Sequence, residues 1–124
     1  MFDIPKINRP AKALVDGLAS IGTATASSEL YKMGIRNPLI SGAVPHSRGK
    51  VVAGPAVTLQ FMPKREDLYG DGEYADREKQ LHRHALYHIE AGDIVVVDAR
   101  GDMESGIFGE MMLTYFAGKG GKGM

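Results

Sequence analysis

The stretch that decides the fold runs from residue 92 to 112 and reads GDIVVVDARGDMESGIFGEMM. Gly92-Asp93 turns the chain. Ile94 to Val97 form an unbroken apolar run. That predicts a strand buried on both faces, as in the middle of a parallel or mixed sheet. The loop after it holds Gly101, Asp102, Ser105 and Gly106, so it is polar and flexible. Gly109 then opens a helix in GEMMLTYFAGKG (109–120).

Upstream, DREKQLHRHALYHIEAGD (76–93) predicts an amphipathic helix. Leu81, Ala85, Leu86 and Ile89 lie near one stripe, with Arg, Lys and His opposite. Helix, glycine turn and strand make half of a βαβ unit. KREDLYGDGEYADRE (64–78), with Gly70 and Gly72, is a polar surface loop. KVVAGPAVTLQFMP (50–63) predicts two short strands. Val51 and Val52 form the first; Val57, Leu59 and Phe61 alternate with Thr58, Gln60 and Met62 in the second. Gly54-Pro55 between them indicates a bulge or an edge position. Nearer the start, Pro10 can open a helix through Ala13, Leu14, Ala19 and Ile21 that stops at Gly22. In TATASSELYKMG (23–34), Thr25, Ser27 or Ser28 can cap, Leu30 and Met33 face inward, and Gly34 ends the helix. NPLISG (37–42) is a loop or a short strand. The fold class is α/β, one domain over residues 1–124, with helices covering a sheet.

Fifteen basic residues balance fifteen acidic ones, which argues against nucleic acid or an anionic membrane as the main partner. There is no cysteine, hence no disulfide framework, thiolate chemistry or Cys-based zinc site. The first residues lack the apolar core of a signal peptide, and no apolar run is long enough for a membrane span. Together these features fit a cytoplasmic protein.

Ligands of open α/β sheets favour the carboxyl ends of strands. That directs attention to Gly109, Glu110, Met111 and Met112. Gly109 lets a ligand approach the backbone, and the first N–H groups of the helix suit a carboxylate or a developing oxyanion. An ordinary strand-to-helix connection with a glycine cap accounts for the same residues. GKGGKG (118–123) fails as a phosphate loop, because Phe116 stands five residues before Gly121 and Gly123 follows Lys122 where a hydroxyl is needed. His84 and His88, at i and i+4, share a helix face. Without a third ligand or a nearby Glu, a solvated face is the better account. Glu66, Asp67, Asp71, Glu73 and Asp76 form an acidic loop that could reach a cation or simply be solvated. No G-x-S-x-G elbow occurs, and no G-x-G-x-x-G opens a helix after a strand, so neither a serine hydrolase nor a dinucleotide site is supported.

TATASSELYKMGIRN, VAGPAVTLQFMPKREDL, GDIVVVDARGDMESGIFGEMM and the Gly-rich turn, in this order, resemble the RraA-like family. It comprises the regulator of ribonuclease activity A and the 4-hydroxy-4-methyl-2-oxoglutarate / 4-carboxy-4-hydroxy-2-oxoadipate aldolases. The resemblance runs from Ile21 to Met124 and is strongest over Gly54 to Leu68 and Gly92 to Met112. It implies a swivelling β/β/α-type fold, assembly as a homotrimer or dimer of trimers, and a divalent metal, magnesium or manganese. It implies that the Gly109-Glu110-Met111-Met112 turn gives backbone amides to the pyruvoyl part of a small 2-oxo acid substrate. The family's substrate-binding Arg and metal-holding Asp follow on the next strand. They are expected beyond Met124, which makes the chain a domain incomplete at its C-terminus and inactive by itself. Many relatives carry Ser-Asp-Ala-Leu where this chain has Ser27-Ser28-Glu29-Leu30.

The activity so implied is that of a metal-dependent class II pyruvate aldolase. The metal acts as Lewis acid and the amides stabilise the enolate. Oxaloacetate decarboxylation uses the same enolate. The alternative is a non-catalytic module that regulates a ribonuclease or another protein partner.

Overall fold

The computed structural model describes residues 6–68 and 72–124, and only the backbone of Glu73 and Tyr74. The sequence predicts one domain; the chain groups into two compact units, Met1–Arg9 with Gly54–Met124, and Pro10–Ala53.

The Pro10–Ala53 unit holds helices α1 (Lys12–Ala19) and α2 (Thr23–Lys32). Gly22 does not stop the first helix. It is the N-cap of the second, its carbonyl accepting from the Ala26 N–H at 3.1 Å. Thr25, Ser27 and Ser28 therefore lie inside α2 and cap nothing. Gly34 does end α2, at φ +91°. Its N–H donates to Tyr31 and that of Ile35 to Leu30, the paired bonds that close a helix around a left-handed residue. Neither helix has a buried residue, so the inward face expected at Leu30 and Met33 is not formed: Met33 is exposed. Val51 and Val52 are exposed and form no strand, and NPLISG is irregular.

The other unit carries the α/β core. Strand β1 (Ala56–Gln60) is followed by the short helix α3 (Gly72–Ala75), a 3-10 turn (Arg77–Lys79), helix α4 (Leu81–Tyr87), strand β2 (Ile94–Asp98) and helix α5 (Glu110–Gly118). β1 and β2 run parallel, with Ala56 opposite Ile94 and Gln60 opposite Asp98. Parallel neighbours need a crossover, and α4 supplies it. Tyr69, Gly70 and Asp71 of the crossover lie outside the described residues.

β2 is central, as its apolar run predicts. The Ile94 N–H donates to Pro55 at 2.8 Å on one side, and the Val95 N–H to Gly123 at 2.9 Å on the other. The GKGGKG segment thus leaves α5 through Gly120 (φ +85°) and pairs in parallel with β2 at Gly123. Burial of β2 is less complete than expected: Val95 is buried, while Ile94, Val96 and Val97 are partly covered. On β1, Val57 and Leu59 turn inward and Thr58 and Gln60 outward, the predicted alternation. Gly54 is not a bulge. Its bare Cα lies against the Gly92 carbonyl oxygen, where a side chain would collide with backbone.

The core is Val57, Leu86, Ile89, Val95, Met112 and Phe116, flanked by Ile7, Leu59, Val97 and Phe108. Each fully buried side chain of this size contributes about 1.5–3 kcal/mol. Leu81 is exposed, contrary to the predicted stripe. The buried residues of α4 are instead His84 and Leu86, with His82 and Ala85 partly covered.

Candidate functional site

The carboxyl ends of both strands are tied together. Gln60 Nε2 donates to Asp98 Oδ2 at 3.1 Å, and the Phe61 N–H donates to the Asp98 carbonyl at 2.9 Å. The Arg100 N–H donates to Asp98 Oδ1 at 2.9 Å. That amide first, then Gln60, holds the Asp98 carboxyl below its ordinary value. Arg100 (φ 56°) and Gly101 (φ 82°) are both left-handed, so the chain reverses within two residues of β2. Glycine adopts this backbone freely; an arginine there is uncommon and strained.

Asp102 then organises the loop from within. Its Oδ1 accepts the N–H groups of Glu104 at 2.8 Å and Ser105 at 3.1 Å, and its Oδ2 accepts the Ser105 hydroxyl at 2.6 Å. The hydroxyl and the two amides hold its carboxyl below the ordinary range. The loop is therefore more ordered than its small polar residues suggest.

Phe108 packs at the margin of the core, and Gly109 is the N-cap of α5. Met112 and Phe116, one turn apart, anchor the helix in the core. Gly109 sits at φ −87°, an ordinary extended backbone, and a Cβ there would meet nothing within 4 Å. Its value is open space beside the helix end, not conformational freedom. The Met112 N–H already donates to the Gly109 carbonyl at 3.0 Å, and the Leu113 N–H joins it at 3.1 Å. Of the amides assigned to a ligand, those of Glu110 and Met111 remain unbonded among the described residues; Met112 contributes its buried side chain instead. The Glu110 carboxylate stands in the first turn, where it complements the helix dipole of the free protein.

The other sequence candidates separate. His84 is buried, not on a solvated face. Its Nε2–H donates to the Glu78 carbonyl at 2.7 Å and lies 3.7 Å from the Glu78 carboxylate. His88 is the exposed C-cap of α4. Both border a cavity of about 410 Å³ with Lys6, Val57, Leu59 and Leu81, which none of residues 109–112 lines. Asp67 pairs with Arg65 at 2.7 Å, and Asp76 caps the 3-10 turn through the Glu78 N–H at 3.0 Å. Asp71 and the Glu73 side chain lie outside the described residues. Among the described residues no three His, Asp or Glu side chains converge on a metal position. Lys119 Nζ donates to the Tyr87 carbonyl at 2.6 Å and lies 5.8 Å from the Tyr115 ring centre, bracing the end of α5.

Two arrangements carry no signal in the one-dimensional pattern. Asp93, read as a turn residue, is fully buried. It accepts from Arg9 Nε at 2.9 Å, Arg9 Nη2 at 2.6 Å and the Glu90 N–H at 2.9 Å. Arg9 also bonds the Glu90 carboxylate at 2.9 Å and the His88 carbonyl at 2.8 Å, fastening the N-terminal segment to the α4–β2 turn. His82 stands between Phe61, at the end of β1, and Phe108, just before Gly109, with 6.2 Å between ring centres on each side.

Comparison with known proteins places this arrangement. The family described as RraA-like, Aldolase/RraA, matches residues 18–124, which include both strands, the loop and α5. Among solved structures, Streptomyces coelicolor RraAS2, described as an unusual member of the RNase ES inhibitor RraA protein family, is similar with a TM-score of 0.75 and 38% identity. The similarity covers 92% of this chain and 52% of that one, so the chain spans about half the length of this relative. No helix among the described residues is long and apolar enough to cross a membrane.

Proposed function

The chain belongs to the RraA-like family, and from that premise we propose that its α/β unit is the enolate-holding part of a metal-dependent class II pyruvate aldolase. The substrates are 2-oxo acids of the 4-hydroxy-4-methyl-2-oxoglutarate type, with oxaloacetate decarboxylation as a second reaction. One observation carries this proposal. The unbonded amides of Glu110 and Met111 open a helix at the carboxyl edge of two parallel strands, within the segment that the family match covers. A 2-oxo acid presents a carboxylate and a keto oxygen. Two N–H groups at a helix N-terminus can hold the first and stabilise charge as it grows on the second. Gly109 leaves space for that approach.

A divalent metal, magnesium or manganese, and assembly as a homotrimer or dimer of trimers belong to the proposal. The described residues do not form a metal-binding set. Measuring pyruvate release from both substrates, with and without magnesium, by a protein that carries this chain together with the expected Arg and Asp, tests the proposal. Metal-dependent release is expected. Its absence with every divalent ion tried overturns the aldolase reading.

A second reading, a module that regulates a ribonuclease, rests on the description of the solved relative as a member of an RNase ES inhibitor family. It predicts slowed RNA cleavage by an RNase E-type enzyme in the presence of the protein, unchanged by removal of metal from the protein.

A further inference from the structure

Of the three histidines in HRHALYH, His82 is the one whose ring meets Phe108, the residue before Gly109. It projects from the first turn of α4, on the side of the helix that also presents Leu86 to the core. Its ring leans on Phe61 at an interplanar angle of 49° and meets Phe108 edge-on at 61°. Ring centres at 6.2 Å lie within the range for such contacts. Phe61 leaves the end of β1, and Phe108 precedes Gly109, so these contacts bring the imidazole to the same edge of the sheet as the Glu110 and Met111 amides. Among the described residues the half-buried ring makes no hydrogen bond, yet none of their side-chain nitrogens or oxygens is both buried and unbonded. The His82 nitrogens therefore keep access to solvent beside the two phenylalanine rings. Burial, with Arg83 adding, holds the imidazole pKa below its ordinary value, which favours the neutral, proton-accepting form.

We propose that His82 is the general base of this site, taking the 4-hydroxyl proton of a bound 4-hydroxy-2-oxo acid. This rests on the aldolase reading. The O–H electron pair becomes the new carbonyl of the departing fragment, the C3–C4 bond breaks, and its electrons form the pyruvate enolate. The enolate then takes one proton at C3, from the imidazolium directly or from a water whose hydroxide the imidazolium reprotonates, giving pyruvate and neutral His82. Oxaloacetate has no hydroxyl proton to lose and passes through the same enolate by release of CO2. The two reactions thus differ in their need for this base.

The test compares both reactions in a wild-type protein that carries this chain together with the expected Arg and Asp, and in its His82→Phe variant, which retains an aromatic ring between Phe61 and Phe108. His82→Gln serves as a second variant, and thermal melts check folding. Retro-aldol cleavage should fall about 100-fold or more, the usual contribution of a general base, while decarboxylation stays within about threefold. Cleavage retained in both folded variants overturns the proposal. So does an equal loss of both reactions, which would make His82 a positioning residue. Wild-type protein that performs neither reaction overturns the aldolase reading and this inference with it. A wild type active in both, with an unselective His82 variant, overturns this inference alone.

Discussion

Arg9 and Asp93 show how much rests on single residues. A carboxylate with no exposure to solvent is tolerable only when paired and hydrogen-bonded, and Arg9 with the Glu90 N–H does both. Removing one member leaves the other uncompensated. Asp93→Asn should cost about 3 kcal/mol in urea unfolding. The pH dependence has a definite sign. Burial, the largest influence, pushes the Asp93 carboxyl up, but Arg9 and the Glu90 amide together outweigh it and hold it below its ordinary value. A lowered folded-state pKa means that the stabilisation is present above the unfolded value and fades as pH falls through the folded one. The wild type should therefore lose its advantage over Asp93→Asn below about pH 4, seen in melts across pH. His84 gives a second prediction. Its bond to the Glu78 carbonyl and its edge-on contact with Tyr87 at 5.5 Å make it structural. His84→Ala should cost about 1–3 kcal/mol, while His88→Ala changes stability by under about 0.5 kcal/mol. Equal melting temperatures for the two variants would contradict this burial.

At the scale of elements, α5 is held from two ends. Met112 and Phe116 dock it in the core, and Gly120 closes its last turn so that Gly123 reaches β2. Its first turn is left open. Gly109→Val should fold, since a Cβ there has free space and the backbone is extended. The exchange of a favoured N-cap for a poor one should cost only about 1 kcal/mol. The same side chain would occupy the approach to the Glu110 and Met111 amides. Weaker binding of oxalate, a planar mimic of the enolate, is expected in calorimetry, together with a lower kcat and a higher KM in pyruvate release. Full affinity in the folded variant would move the anion site elsewhere. The sequence places α5 and its N-terminus well, because a glycine between a polar loop and an apolar run is a local signal. It does not reveal that Met112 is already bonded, since the first turn's geometry is set by how Met112 and Phe116 dock.

On the scale of the molecule, apolar surface decides behaviour in solution. Neither α1 nor α2 buries a residue, and Leu39, Ile40, Val44 and Val51 are between 66% and 79% exposed. Exposed apolar patches mark surfaces that meet partners. Self-association is therefore expected in size-exclusion chromatography with light scattering, and a monomer at all concentrations would oppose it. The sequence by itself determined the α/β class, the central apolar strand, the alternation of β1 and the glycine ends of α2 and α5. Each of these is written in residues close along the chain, through side-chain period or backbone freedom. The absence of a strand at Val51-Val52, the burial of His84 and Asp93, the Arg9 clasp and the place of His82 between Phe61 and Phe108 were decided only by tertiary structure. Each joins residues far apart in sequence or depends on which face of an element finds a neighbour. Local pattern cannot encode the partner of a buried charge or of an aromatic ring; packing supplies it.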